Sequence, residues 1–293
     1  MNDRYFSWKK LKNSGTETIT AENTLRDLEN NYVSACARFL SRVPSKDPVW
    51  TLKGKNNEIA AMIVNAKTTV IPVFNGRTEM PLPKFLGGFF QINKIHSIQG
   101  LKEEVLILEE VIKQFGKKVS DIFDYDLMSL ESVKRDLLTP GGEQKAGLVL
   151  RVPSLTDLDA LAPLQAAYEH EEVLHKGSVF SHAASRINLA RIIAEGKILA
   201  AEMNGHLIGK INVSGVSFSR YLIGGVYVHP EFRSRGIARQ MTAKFLASLI
   251  DDNPANLKGL TLFVKKSNHP ARKLYERLGF QTRRDYRITY FYE

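Results

Sequence analysis

The 293-residue sequence contains a single cysteine, Cys36. That excludes a disulfide framework and a multi-cysteine metal site, and it fits a reducing compartment. Long hydrophobic runs are missing as well. No stretch approaches the roughly 18–20 apolar residues of a membrane span. The opening MNDRYFSWKKLKNSGTET lacks the apolar core of a secretory signal. The expectation is a cytoplasmic protein without a membrane partner. Low-complexity tracts are absent, and acidic residues are scarce in one region. Between Phe232 and Arg287 there are 13 Lys/Arg and 4 Asp/Glu, so a charge of 13 − 4 = +9 sits there, against +10 for the whole chain. A basic surface attracts polyanions. It serves as a solvated face, a seat for a phosphate-bearing cofactor, or a nucleic-acid contact.

The remaining composition is ordinary for a globular protein, with 43% hydrophobic and 25% charged residues. The length suggests about two domains. The most turn-prone stretch is LLTPGGEQKAG, residues 137–147, a plausible linker. It predicts one domain over 1–138 and a second over 147–293.

In the second domain the pattern reads as a strand (148–152), a helix (156–168), a variable segment and a second helix (181–196). The strands KILAAEMN and HLIGKINVSGV follow, joined by Asn204-Gly205, a strong hairpin turn. Next come the strand YLIGGVYVHP, a helix (236–250), the strand GLTLFVKK, and the helix HPARKLYERLG ending at Gly279, a natural C-cap. RRDYRITYFYE is the last strand. The fold class is therefore α+β, a mixed α/β sheet with helices. The first domain shows a blurred version of the same order. The helix TLRDLENNYVSACARFLSRV precedes strand-turn-strand IAAMIVNAKTTVIPVF, then the strand KIHSIQG and the helix LKEEVLILEEVIKQFG.

The stretch VYVHPEFRSRGIARQM, residues 226–241, places Arg233, Gly236 and Ala238 between a strand and a helix. A helix N-terminus presents unpaired backbone N–H groups and a partial positive charge, a ready phosphate site. Gly236 removes one side chain and Ala238 keeps another small. Arg233, Arg235 and Arg239 add positive charge able to pair with phosphate oxygens. Arg233-Ser234-Arg235-Gly236-Ile237-Ala238 thus suits a pyrophosphate, although a helix start with small residues for packing reads the same way. The spacing is neither that of the phosphate loop with Gly-Lys-Ser/Thr nor the three-glycine dinucleotide fingerprint.

This turn, after the fourth strand of the domain, resembles the acetyl-CoA signature Arg/Gln-x-x-Gly-x-Gly/Ala of the GNAT acyltransferase superfamily, matched by Arg233, Gly236 and Ala238. NHPARKLYERLGF resembles a second family pattern, with Asn268, Ala271, Tyr275, Gly279 and Phe280. The resemblance covers roughly residues 147–293. It implies that the fourth and fifth strands splay apart and that the pantetheine arm lies in the gap along Val226, Tyr227 and Val228. The Val228 N–H is then the oxyanion donor. Ser234, Ile237 and Arg239 complete the turn, and Asn268, Ala271 and Arg272 lie near the cofactor. Tyr275 stands where the family places its general acid. Glu171 and Glu172, on the acceptor side, are candidate bases or amine ligands; His229 is a weaker candidate. Tyr168-Glu169-His170-Glu171-Glu172-Val173 is similar to a Tyr-x-x-Glu-Glu-Val element of a bacterial subgroup. That subgroup carries an uncharacterised N-terminal domain, to which HSIQGLKEEV and DYDLMSLE are also similar. In the first domain SIQGLKEEV, taken as the equivalent turn, offers Lys102-Glu103-Glu104 where phosphates would sit, so that half is expected not to bind CoA and to be a degenerate relative.

The expected function is transfer of an acetyl group from acetyl-CoA to a primary amine, of a small molecule or a peptide, by a monomer or homodimer. Two readings from other classes stand beside it: a CoA-binding or sensing module without turnover, and an RNA-associated protein using the basic C-terminal face. No recognised nucleic-acid motif appears, and strand alternation accounts for the aromatics of RRDYRITYFYE.

Overall fold

The structure, a computed structural model, describes residues 7–12, 15–43, 46–53, 58–77, 89, 94–131, 135–138, 146–252 and 257–292. The chain forms two compact units, Met1–Leu127 with Arg283–Glu293, and Met128–Thr282.

The first unit contains β1 (Ser7–Lys10), α1 (Thr16–Asp27), α2 (Glu29–Ser41), β2 (Val49–Lys53), β3 (Ile59–Ala66), β4 (Thr69–Val73), β5 (Ser97–Leu101) and α3 (Lys102–Gln114). Most of β6 (Val119–Leu130) and of β12 (Gln281–Phe291) also belongs to it. Strands β1 to β4 pair antiparallel in sequence order, and β4 pairs β5 in parallel. Val105, Leu108 and Ile112 recur at helical spacing along α3 and pack with Ile63, Val70 and Ile98 of the sheet.

The second unit contains the end of β6, α4 (Arg135–Leu138), β7 (Leu148–Arg151), a 3-10 turn (Leu155–Asp157) and α5 (Leu158–Tyr168). Helix α5 runs on into a π-helical turn (Glu169–Val173), followed by α6 (His182–Ala194), β8 (Ile198–Met203), β9 (His206–Val216) and β10 (Arg220–Val228). Last come α7 (Ile237–Asp252), β11 (Gly259–Lys265) and α8 (His269–Arg277). Strands β7 to β10 are antiparallel in order, and β10 pairs β11 in parallel. The two units therefore repeat one strand order. Asn204 and Gly205 both have positive φ, 51° and 81°, as a two-residue hairpin with right-handed strand twist requires. Helix α7 buries Ile237, Met241, Phe245 and Leu249 as one stripe against the sheet. Gly279 closes α8 at φ 94°.

Two expectations change. The helix predicted over 24–43 is two helices that meet at Leu28, and Tyr32 inside α2 is non-helical at φ −121°, ψ 32°. The division between units also differs from the break expected at 137–147, most of whose loop (139–145) lies outside the described residues. The end of β6 and α4 pack with the second unit, where Met128, Leu130 and Leu138 join the core of Leu260 and Phe280. The last strand packs with the first unit, because Tyr286 to Tyr290 pair antiparallel with Leu101 to Ser97.

Candidate functional site

Strands β10 and β11 pair only from Arg220↔Gly259 to Ile223↔Leu262. Both continue beyond that point, β10 to Val228 and β11 to Lys265, so the parallel ladder opens into a gap. The opening coincides with a β-bulge. Gly224 pairs Asn212 and Tyr227 pairs Lys210, so Gly225 and Val226 together face the single residue Ile211. Past the bulge, the His229 N–H donates to the Ile208 carbonyl at 2.8 Å. Strand alternation then turns the N–H of Val228 away from β9, toward the gap. Side chains alternate too: Val228 packs toward α7 and Tyr227 under α5 and α6.

The chain leaves β10 through a short 3-10 turn, Pro230–Phe232. Ser234 and Gly236 then both take positive φ, 60° and 78°, and a Cβ built on Gly236 would meet open space. The Gln240 N–H bonds the Gly236 carbonyl at 3.1 Å, which makes Gly236 the residue from which α7 starts. The amides of Ile237 and Ala238, in the first turn of α7, have no acceptor within the helix and point out of its end. The Ile237 side chain is buried and anchors the turn, while Arg235 lies over the Phe232 ring at 5.4 Å. A helix end of this kind, with room at its first residue, accommodates a pyrophosphate.

Arg233 does not present its fork to this turn. Its Nε donates to the Val228 carbonyl at 2.9 Å, and its two terminal nitrogens donate to Glu171 at 3.1 and 2.7 Å. Glu172 is occupied in turn by Lys265, at 3.3 Å, and by the Asn268 Nδ2, at 3.1 Å. Glu171 and Glu172, the candidate bases or amine ligands, are thus each held by a cation, and Glu172 by an amide donor as well. The π-helical turn, one residue wider per turn than an α-helix, aims the adjacent pair at the two lips of the gap. Glu171 ties to the segment after β10, and Glu172 to the end of β11 and the start of α8.

Asn268 caps α8, its side chain accepting from the Ala271 N–H at 3.1 Å, a cap contributing about 1 kcal/mol. Arg272 pairs with Glu276 one turn on, at 3.0 Å. Tyr275 is buried against Phe280, edge to face at 5.9 Å. Burial pushes its hydroxyl pKa well up, with Tyr168 and Glu172 adding to the effect, so it carries its proton at neutral pH. His229 sits half-buried beside Phe232 at 6.1 Å.

Sequence reasoning missed Lys210, Asn212 and Gly225 here. Lys210 is fully buried, and its Nζ donates to the Gly225 carbonyl at 3.1 Å and to the Asn212 Oδ1 at 3.2 Å. It lies over the Tyr168 ring at 4.8 Å. The signal was available: Ile208, Lys210 and Asn212 alternate in phase on one face of β9. Part of the basic stretch, by contrast, is paired. Arg233, Lys265, Arg272, Arg284 and Arg287 all hold carboxylates.

The equivalence drawn for the first unit is corrected as well. By strand order α3 follows β5 and is the counterpart of α8, so Lys102-Glu103-Glu104 does not occupy the place of the Gly236 turn. That place follows β4, where residues 78–88 lie outside the described ones. Between β4 and β5 the register covers Thr69↔Ser97 and Val70↔Ile98. A Cβ on Gly100 would come within 3.1 Å of the Pro72 ring. Glu104 accepts from the Phe74 N–H at 3.1 Å and from the Tyr32 hydroxyl at 2.5 Å, stitching the end of β4 to α3.

Residues 163–280 match the acetyltransferase (GNAT) family. Over 91 residues the chain is 35% identical to the catalytic subunit of the N-terminal acetyltransferase B complex of Arabidopsis thaliana, covering 30% of this chain and 48% of that protein. Over 86 residues it is 33% identical to an acetyltransferase of Pectobacterium atrosepticum, covering 29% and 57%. The chain thus spans about half the length of these curated relatives. Among solved structures it is similar to a tandem GNAT protein from the clavulanic acid biosynthesis pathway (TM-score 0.64, 14% identity, 98% of both chains). It is also similar to a Drosophila protein (TM-score 0.68, 14% identity, 97% and 98% of the two chains). At such identity these likenesses show the fold, an α+β fold with a mixed sheet flanked by helices. Residues 163–280, the greater part of the second unit, are a domain of the acetyltransferase (GNAT) family.

Proposed function

We propose that the chain is an N-acyltransferase that moves an acetyl group from acetyl-CoA to a primary amine, of a small molecule or a peptide, by direct attack in a ternary complex. The observation that carries this reading is the gap that opens after Ile223↔Leu262, beside a helix end with open space at Gly236. When bound, acetyl-CoA supplies an acyl carbonyl activated as a thioester and a thiol as leaving group. The amides of Ile237 and Ala238 hold its pyrophosphate, and the edge of Val226–Val228 lies along its arm. Ser234 and Arg235 flank the cradle, and Ala271 and Arg272 border it from α8. The Val228 N–H, turned into the gap, stabilises negative charge on the carbonyl oxygen, a contribution typically of about 3–4 kcal/mol. Tyr275 keeps its proton, would deliver it to the departing thiolate, and would be reprotonated by the proton that the attacking amine nitrogen sheds as the amide forms.

The first unit does not hold CoA on this reading. Pro72 offers no N–H along the gap side of β4, Gly100 packs on its ring, and Glu104 closes the exit of β4. The reaction belongs to the domain over 147–293, less its last strand.

Titration of the purified protein with acetyl-CoA, repeated on Gly236→Glu, tests the proposal. Micromolar binding by the wild type, abolished in the variant, is expected, followed by amine-dependent thiol release across a panel of acceptors. A wild type that does not bind acetyl-CoA overturns the reading.

A further inference from the structure

Lys210 is a cost to the fold unless it does something. Its relative exposure is 0%, and burying an amine is unfavourable without partners for its protons. Burial lowers its pKa to about 7, with Glu169 opposing. Hydrophobic residues of similar volume often serve as well or better at such positions. The partners it does have converge on one point of the backbone. Nζ donates to the Gly225 carbonyl and to Asn212, and Asn212 is itself tied to the Val213 carbonyl at 3.1 Å. The Gly225 backbone also bonds Tyr168, whose ring lies under Nζ.

Gly225 is the first of the two bulge residues, at φ 62°. It has no room for a side chain, because a Cβ there would lie 1.9 Å from the Asn212 Oδ1 and 2.8 Å from Nζ. The bulge does more than bend the strand. An extra residue shifts the phase of alternation by one, and a one-residue slip turns every group beyond it to the opposite side. The phase after the bulge decides whether Val228 or Tyr227 offers its N–H to the gap.

We infer that Lys210 is a positioning residue for acyl transfer: the hydrogen bonds of its Nζ pin Gly225 in the bulge and so fix the Val228 N–H toward the gap between β10 and β11. The inference rests on the acyl-transfer reading. Lys210 itself touches no substrate. Its effect passes through the backbone, so it separates binding from turnover. The pyrophosphate cradle at Gly236 lies beyond the bulge and is anchored separately by Ile237.

The test compares Lys210→Met with the wild type, in acetyl-CoA titration and in amine-dependent thiol release. The expected result is an acetyl-CoA Kd within about threefold of wild type and a kcat lower by about 10²–10³, the loss typical of a displaced oxyanion donor. Gly225→Ala, which attacks the same bulge through the backbone, is expected to give the same split. It covers the case in which Lys210→Met fails to fold. A folded Lys210→Met with wild-type kcat overturns the inference and leaves the acyl-transfer reading standing. So does a variant whose Kd rises by as much as its kcat falls. A wild type that neither binds acetyl-CoA nor releases thiol removes the reading and the inference with it.

Discussion

Glu171 grips Arg233 through both carboxylate oxygens, while the same guanidinium reaches back to the carbonyl of Val228. The pair is roughly half exposed, 40% and 46%, so it adds only about 0–1 kcal/mol to stability. What it fixes is the direction in which an arginine of the signature points. Removing a general base typically costs about 10²–10⁴ in rate. Because both glutamates are held by cations or amides, Glu171→Gln and Glu172→Gln are each expected to lower kcat by less than about tenfold. Steady-state kinetics on the two variants checks this. A loss of a thousandfold in either would return that residue to the role of base.

Tyr275 stands differently. Its ring packs on Phe280 and its hydroxyl is kept protonated by burial. Tyr275→Phe retains the ring and deletes only the proton. Turnover is expected to fall by about a hundredfold or more, with the acetyl-CoA Kd and the melting temperature unchanged. Unaltered turnover would make Tyr275 a core residue.

The second unit should carry a pH signature from Lys210. Its pKa falls from an ordinary 10.5 to about 7 in the fold. The folded state therefore binds fewer protons than the unfolded chain between those values, and stability declines as pH falls from about 10.5 to about 7. Lys210→Met removes that decline. Thermal melts of variant and wild type at pH 6 and pH 10 are expected to favour the variant more at the lower pH. A difference independent of pH would mean that the buried amine keeps its ordinary titration.

Glu104 gives the opposite sign in the first unit. Burial raises its pKa from 4.5 to about 7, against hydrogen bonds from Tyr32 and Phe74 that pull it down. The folded state holds the extra proton, so its contribution is complete below about 4.5 and is lost as pH rises through about 7. The swing is on the order of 3 kcal/mol, each pKa unit being worth about 1.4 kcal/mol. Glu104→Gln is expected to flatten denaturation midpoints between pH 5 and pH 8, and an unchanged slope would place the titration elsewhere.

Local chemistry made much of this legible in the sequence. Asn204-Gly205 and Gly279 mark a turn and a helix end because few residues tolerate positive φ. The Gly236 turn was legible because strand, small residues and helix follow one another along the chain. Features made by distant partners were not. Nothing in Glu171 or Glu172 announces Arg233, Lys265 or Asn268, which stand far off in sequence and meet them only through the π-helical turn. SIQGLKEEV was aligned with the wrong turn, since a helix follows both β10 and β11 and only sheet order makes β5 the counterpart of β11. Lys210 hid among apolar neighbours, where one charge in a strand reads as a solvent-facing position.

Strand β12 has a consequence for how the protein is made. Its residues pair with β5, yet they are synthesised only after every residue of the second unit. The first unit cannot complete its sheet as it leaves the ribosome. Its edge at β5 waits, unpaired, through the translation of more than half the chain. Such late pairing between remote segments is slow and leaves a strand edge open to the wrong neighbour. The two halves are consecutive on the page but not in time: the first to be made is the last to be finished.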